Sequence, residues 1–551
     1  MIIMKKTIYK ILSIVLFTVV LTGCKDYLDI NTDPNNPTTV SINQLLPSAQ
    51  ANIAFSTGNA GGLNGHVASI MQQTVQRGTL NDHLILGNDF NVLVPWNSFY
   101  GGALTDLRDI INIGTADEDW QYVGIAQILK AYTFSIMVDV WGDIPYFEAN
   151  LGTENPFPVY DEGSAIYADL HLLLDEAIAN LAKPSNMTPA ADDLIYGGDM
   201  AMWRKFAKSL KFKMYAQTRL VANVDTEIGA LIAEGDMISS SAQDFGFQYN
   251  GSIAPENRNP GYVQEWAPGG AGYYINPYFF EVMRSMDTFG HGGLNFGPVD
   301  PRVPYYFFNQ LPAGAVDGDA ENPCAYCPSD SGTPFLSIYA YSFNIDPNEG
   351  FDQSRSQTVI GLFPVGGKYD DGNGGIASLN SALAGQVNGI GTTAHRMLTS
   401  YELLYLRAEL AHVGVTAENA RQLLSDAMDD SFAKVDEVAA EASAPALDPA
   451  VLTTYKDAVL LMYDGGTPAL QLEIIMTQKW IASYGNALNA YNDYRRTGYP
   501  RLHNGNTDNL SVTVQGRSFP VSFPYEDTDL ITNPNAPKQR LIATDKVFWD
   551  N

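Results

Sequence analysis

The chain has few cysteines, few basic residues and, after its N-terminus, no long uncharged apolar run. Three cysteines, Cys24, Cys324 and Cys327, occur in 551 residues, which excludes a disulfide-built scaffold. Basic residues number 32 against 61 acidic, a formal net charge of −29. That balance argues against nucleic acid and against anionic membrane surfaces as partners. The seven histidines stand singly, without metal-ligand spacing, so no zinc site is expected. Neither a G-x-S-x-G elbow nor an H-E-x-x-H helix is present, and the loose dinucleotide match Gly372-x-Gly374-x-x-Ala377 has no strand before it. Asp29-x-Asn31-x-Asp33 begins like a calcium loop, but Pro34 and Val40 stand where the loop needs Gly and Glu. No cofactor is expected, and the chain is not expected to be an enzyme.

What is present begins at the N-terminus. Lys5, Lys6 and Lys10 precede the apolar stretch Ile11 to Leu21, and Leu21-Thr22-Gly23-Cys24 follows, the layout of a secretory signal. Eleven helical residues rise only about 16 Å, too short for a hydrocarbon core of about 30 Å. Residues 1–23 are therefore expected to be removed. Leu-Thr-Gly-Cys resembles the lipobox of bacterial lipoproteins, in which Cys24 is lipidated, and two or more acyl chains anchor a protein stably where one does not. Residues 24–40, rich in Asn, Asp and Pro, are expected to be a tether that reaches out from the lipid.

The other cysteines lie in "NPCAYCPSD". Such a pair can be redox-active, half a zinc site or a local disulfide; outside the cytoplasm the expectation is a structural disulfide between Cys324 and Cys327.

Helical periodicity dominates 41–239 and 396–500. Trp96 to Ile111 predicts an amphipathic helix with Pro95 in its first turn. Further helices are expected over "WQYVGIAQILKAYTFSIMVDVW", Ile166 to Leu181 and Met200 to Val221. The last carries Arg204, Lys205, Lys208, Lys211, Lys213 and Arg219 around an apolar stripe, and these bases are expected to pair with carboxylates. Leu398 to Val413, Ala417 to Phe432, Leu447 to Met462 and Ala469 to Tyr491 complete the helices. Trp141-Gly142-Asp143-Ile144-Pro145 reads as a helix stop, and Arg495 and Arg496 are expected to meet buried carboxylates such as Glu402 or Glu409. Residues 240–395 are short, aromatic segments punctuated by Gly and Pro, where loops and short strands are expected. An irregular tail, 501–551, closes a single domain of residues 41–551.

The segments "INTDPNNPTTV", "ILKAYTFSIMVDVWGDIPYFEA", "GGDMAMWRKFAKSLKFKM", "YELLYLRAELAHVG" and "QKWIASYGNALNAYNDYRRTGYP", in this order behind a lipobox, resemble the SusD/RagB family of outer-membrane nutrient-binding lipoproteins, in particular its SusD-like-2 branch. The resemblance implies a mainly α fold of tetratricopeptide-like helix pairs with a loop-rich, short-strand, ligand-facing half. It also implies a lipid-anchored protein on the outer membrane facing the cell exterior. The implied partner is a SusC-like, TonB-dependent β-barrel transporter, to which glycans, peptides or similar oligomers are handed. A helical scaffold or adhesin without small-ligand binding, or a surface hydrolase, are the alternative functions.

Sugars and peptides are both held by aromatic faces with amides and acids nearby. The candidate ligand residues are Trp266, Tyr273, Tyr274 and Asn276 in "EWAPGGAGYYINPYFF", where a helix is not expected, with Tyr326 and Tyr369 as second choices. The competing possibility is that these rings fill a loop-rich core.

Overall fold

The computed structural model describes residues 40–76, 83–266, 272–286, 292–310, 335, 337, 358–374, 388–504 and 518–550. It is mainly α-helical. Helices α1 (Ile42–Thr57) and α2 (Leu63–Ile70) lead into strand β1 (Thr74–Gln76), then α3 (Phe90–Asn97), a π-helical turn over Ser98–Ala103, α4 (Leu104–Ala116) and α5 (Trp120–Trp141). The single helix expected from Trp96 is thus three segments. Pro95 lies inside α3 and has no N–H to continue the ladder, and the wider turn follows directly where Gly101 and Gly102 relax the backbone.

Helix α5 is the central element. By length and composition it would cross a membrane, but it is buried inside the protein against α4 and α6 (Gly163–Leu181). It stops at Gly142, whose φ of +80° suits glycine and whose N–H donates to the Val138 carbonyl at 2.8 Å. A Cβ there would sit 2.6 Å from the Arg540 guanidinium, which would have to shift to admit it.

Helix α7 (Met200–Thr218) starts on an Asp199 cap that accepts from the Ala201 and Met202 N–H groups, and packs on α6 and α8 (Asp225–Glu234). All six of its predicted bases find carboxylates. Arg204 and Lys205 reach Asp236 at 2.7 and 3.3 Å, Lys208 reaches Asp236 at 2.9 Å as well as Glu234, Lys211 pairs with Asp175, Lys213 reaches Glu402 at 3.1 Å and Arg219 reaches Glu409 at 2.8 Å.

The middle of the chain holds β2 (Phe245–Phe247), α9 (Pro260–Trp266), β3 (Tyr273–Ile275), α10 (Pro277–Arg284), α11 (Val303–Tyr306), β4 (Phe307–Phe308), β5 (Val359–Ile360) and β6 (His395–Leu398). Among the described residues the strands form three antiparallel ribbons, β1 with β3, β2 with β6 and β4 with β5.

Helices then return as α12 (Ser400–His412), α13 (Ala420–Glu441), α14 (Pro449–Gly465), α15 (Pro468–Ala482) and α16 (Ala487–Thr497), with a short α17 (Asp527–Thr532) near the end. Helix α12 packs against α13 and α15. The one long helix expected from Ala469 to Tyr491 is broken between α15 and α16. Gly485, at φ +95°, lies so close to Pro364 that a Cβ would be 2.5 Å from the proline Cβ, so the chain turns there instead of continuing.

A buried ionic cluster joins α7, α12, α15 and α16. Arg496 reaches both Glu409 and Asp493 at 2.6 Å, and Lys479 reaches Asp493 at 2.8 Å. Burial alone would raise the Glu409 carboxyl, but Arg496 and Arg219 more than offset it and hold the group down at about 2. Asp139 of α5 draws in the C-terminus: it accepts from Trp549 Nε1 at 2.8 Å, from Asn492 at 2.6 Å and from the Tyr167 hydroxyl. The C-terminal residues around Trp549 therefore belong to the core.

Candidate ligand-binding cleft

The residues singled out from the sequence fall in different surroundings. Trp266 is the last residue of α9, and its ring is fully buried. Its Nε1 donates to the Ile360 carbonyl at 3.0 Å, and its ring packs in an edge-type contact with Phe308 at 5.4 Å. The expectation of a non-helical, ligand-facing ring is corrected: short elements on either side close over it. Tyr273 and Tyr274 lie in β3, opposite Gln76 and Val75, and both are buried. Asn276 caps α10 by accepting from the Tyr278 N–H at 2.9 Å, and it too is buried. The void beside Tyr273 and Glu265 measures about 10 Å³, room for no more than a water. This group builds core and encloses no space for an oligomer.

Tyr369 is half-buried, with its ring 4.9 Å from that of Tyr305. Cys24, Cys324, Tyr326 and Cys327 lie outside the described residues.

Ligand-sized space opens elsewhere. A cleft of about 400 Å³ lies between the α3–α4 junction, the loop after α5 and α17, lined by Trp96, Asn97, Tyr100, Asn150, Asn155 and Asp529 among others. That is within the usual range for small-ligand sites. The π-helical turn sets its back wall. Trp96 packs edge-on against Trp141 at 5.2 Å and lies nearly parallel to Tyr160 at 6.5 Å. Tyr100 donates from its hydroxyl to the Pro145 carbonyl at 2.7 Å, which ties that wall to the loop after α5. Asn97 is exposed.

The loop wall is held by side chains rather than by a ladder. Asn150, at φ +60°, donates to the Tyr100 carbonyl at 2.6 Å and to the Thr105 hydroxyl at 3.1 Å. Asn155 donates to Glu148 at 2.8 Å. The third wall is clamped to the loop by Asn533 and Asn535, which donate to the Pro158 and Phe157 carbonyls at 2.9 and 2.6 Å. Leu151, Phe157 and Ile531, each next in sequence to a lining residue, are exposed by 42, 46 and 84%, so apolar surface stands beside the amides.

The charged groups lining the cleft are Glu526 and Asp529. Burial raises the Asp529 carboxyl; the Tyr160 hydroxyl, which donates to it, opposes the shift, and Glu526 adds to it. Burial pushes the Tyr100 hydroxyl well above the ordinary tyrosine range, with Asp529 and Asp161 reinforcing the effect. The neutral phenol is thus kept as a donor. The cleft offers the half-buried ring of Tyr100 in front of the buried Trp96, an exposed Asn97, half-buried Asn150, Asn155 and Asp529 and, among the described residues, no metal cluster. Such a surface can hold a polyhydroxylated or amide-bearing ligand by stacking and hydrogen bonds.

Sequence reasoning missed this site because its walls come from residues 96–100, 145–158 and 526–532. Trp96 and Tyr100 read as part of an apolar helical stripe. The available signals were Pro95 ahead of Gly101-Gly102, and the Asn- and Pro-rich run "ANLGTENPFPV".

Helix pairs around a buried ionic cluster, with an amide-lined cleft at the surface, are the architecture of a helical protein with room for a ligand. The family SusD-like_2, described as "Starch-binding associating with outer membrane", matches residues 34–525, and the chain belongs to it. Similar solved structures include a SusD homolog from Parabacteroides distasonis, 20% identical, TM-score 0.67, covering 93% of this chain and 98% of that one. A SusD/RagB family protein from Bacteroides thetaiotaomicron is 20% identical, TM-score 0.63, with 93% and 99% covered. A chitin-binding SusD homolog from Flavobacterium johnsoniae is 17% identical, TM-score 0.60, with 92% and 98% covered. At these identities the likeness is one of fold. No curated protein matches the chain.

Proposed function

We propose that the protein captures an oligosaccharide, or a similar oligomeric nutrient, in the cleft lined by Trp96, Asn97, Tyr100, Asn150 and Asn155, and passes it to a TonB-dependent β-barrel transporter in the same outer membrane. The observation that carries this reading is the cleft itself: about 400 Å³, open to solvent, with aromatic, amide and carboxylate groups converging on it. Membership of a family described as starch-binding supports a glycan over a peptide, and so does the chitin-binding relative. In this proposal Cys24 carries the lipid, the residues after it form the tether, and the protein faces the cell exterior. Tyr369, with its half-exposed ring, and Tyr326 are proposed as peripheral contacts only.

Affinity isolation of the intact lipoprotein in mild detergent, followed by mass spectrometry of proteins and small molecules, tests the proposal. Recovery of a β-barrel transporter and an oligosaccharide is expected. Repeated recovery of the protein alone, with no saturable binding of glycan mixtures, would leave it a scaffold or adhesin and sink the reading.

A further inference from the structure

A second cavity adjoins the cleft across the turn at Ala149 and Asn150, which line both. It measures about 120 Å³ and is lined by Arg108, Asn112, Lys130, Phe134 and Tyr146 among others. Its character is opposite to that of the cleft. Lys130 is half-buried on α5, with its ammonium 5.2 Å from the centroid of Tyr146 and 5.9 Å from that of Phe134. Among the described residues its Nζ has no hydrogen bond and no ion pair. Arg108 is already committed: it reaches Asp109 at 2.7 Å and donates to the Asn150 carbonyl. Asp169, the nearby carboxylate that favours the charged lysine, is itself taken by the Tyr146 hydroxyl at 2.6 Å.

The absence of a partner for Lys130 is unexpected in this chain. Acids outnumber bases 61 to 32, and every base of α7 named above has found a carboxylate. A half-buried ammonium with three donors, two ring faces beside it and no acceptor bonded to it lacks the hydrogen bonds that normally offset desolvation. Burial accordingly holds its pKa below the ordinary lysine range, with Asp169 opposing. The space in front of it is larger than a single water needs and fits a carboxylate or sulfate group.

We propose that this cavity is an oxyanion subsite, in which Lys130 receives a carboxylate or sulfate carried by the captured oligomer while the neutral part of that oligomer lies in the cleft. The inference rests on the cleft being the nutrient site; the anion contact itself is testable without it. A nutrient with acidic substituents, such as a uronate-bearing or sulfated glycan, is then held at two points whose chemistry differs. The turn at Asn150 separates the carboxylate-lined cleft from the cationic cavity, so the substituent avoids Glu526 and Asp529.

The test uses three monosaccharide probes on the intact folded protein: glucose, glucuronic acid and glucose 6-sulfate, titrated by NMR. At least one anionic sugar is expected to bind about tenfold more tightly than glucose, the scale of one charge-assisted hydrogen bond, and which of the two does so identifies the substituent. Lys130→Met keeps the stem against the rings and removes the charge; it should bring the anionic sugars down to the level of glucose. Thermal melts of both proteins confirm that the variant is folded, and Lys130→Arg should restore part of the preference.

Equal binding of all three sugars to the natural protein would overturn the proposal, as would an anion preference that survives Lys130→Met. If neutral oligosaccharides show no saturable binding to the natural protein while Lys130→Met abolishes the anion preference, the nutrient reading of the cleft fails and the oxyanion contact stands.

Discussion

Trp266→Ala separates a core role from a ligand role for the ring that sequence favoured as a stacking platform. The indole is fully buried, its N–H is bound to the Ile360 carbonyl at 3.0 Å, and Gly367 lies so close that a Cβ there would be 2.2 Å from Nε1. Removing a buried tryptophan side chain costs about 3–5 kcal/mol, from lost transfer energy plus the cavity left behind. The upper half of that range is expected, because the Ile360 carbonyl also loses its donor, and an unsatisfied buried group costs about 1–3 kcal/mol. Urea unfolding followed by circular dichroism measures the loss. Titration of the folded variant with the co-purified nutrient should show unchanged affinity. Trp266→Phe, which keeps a ring but no N–H, should fall between the two, and Gly367→Ala should destabilise through the same contact. A stability change under about 1 kcal/mol, together with a large loss of affinity, would refute the core assignment and return Trp266 to the binding site.

Three further outcomes follow from the same structure. Asn97→Ala, at an exposed position on the cleft wall, should weaken nutrient binding by about 0.5–1.5 kcal/mol, roughly 2- to 12-fold, without moving the unfolding midpoint; calorimetric titration checks this, and unchanged affinity removes Asn97 from the site. The Glu409 carboxyl is held down at about 2, below the ordinary glutamate value of 4.5, so its contribution is present above about pH 4.5 and is lost as pH falls toward 2. Glu409→Gln should cost about 3–5 kcal/mol at neutral pH by taking the carboxylate from Arg219 and leaving Arg496 with Asp493 alone, and should flatten the fall in stability across that acid window; a stability–pH curve parallel to that of the natural protein contradicts this role. Cys24→Ala should release the protein from the outer-membrane fraction, since the proposed acyl chains are its strong membrane attachment; continued fatty-acid labelling of the variant would show that the lipid lies elsewhere.

Much of the fold was legible along the chain because helices announce themselves by period. The α5, α6, α7 and α12 segments appear within a few residues of their expected bounds, and the order of helices, short ribbons and helices is as expected. Periodicity was weakest where a local backbone device intervened. Pro95 and the glycines after it turn one expected helix into three segments, and Gly485 splits another against Pro364. The apolar pattern runs through both breaks, since the side chains on either side still face the core. The pairing of Arg496 with Glu409 was anticipated, whereas Glu402 turned instead to Lys213. Two acids on one helix face look alike in sequence, and only the neighbouring helix decides which base each one meets.

The sequence by itself determined the lipoprotein-like N-terminus, the acidity that argues against nucleic acid, the helical class and the family, because each depends on residue type and spacing along one segment. The tertiary structure alone decided where a ligand has room. Trp266 and its neighbours read as a glycine-rich aromatic loop, yet β1, β5 and α10 close around them; burial belongs to what packs over a ring, and its own segment does not record it. The cleft shows the converse. Asn97, Asn150 and Asp529 come to line one cleft only because α5 carries the chain back past the α3–α4 junction, and because the C-terminal segment, drawn in by Trp549 and Asp139, brings α17 up to complete the third wall.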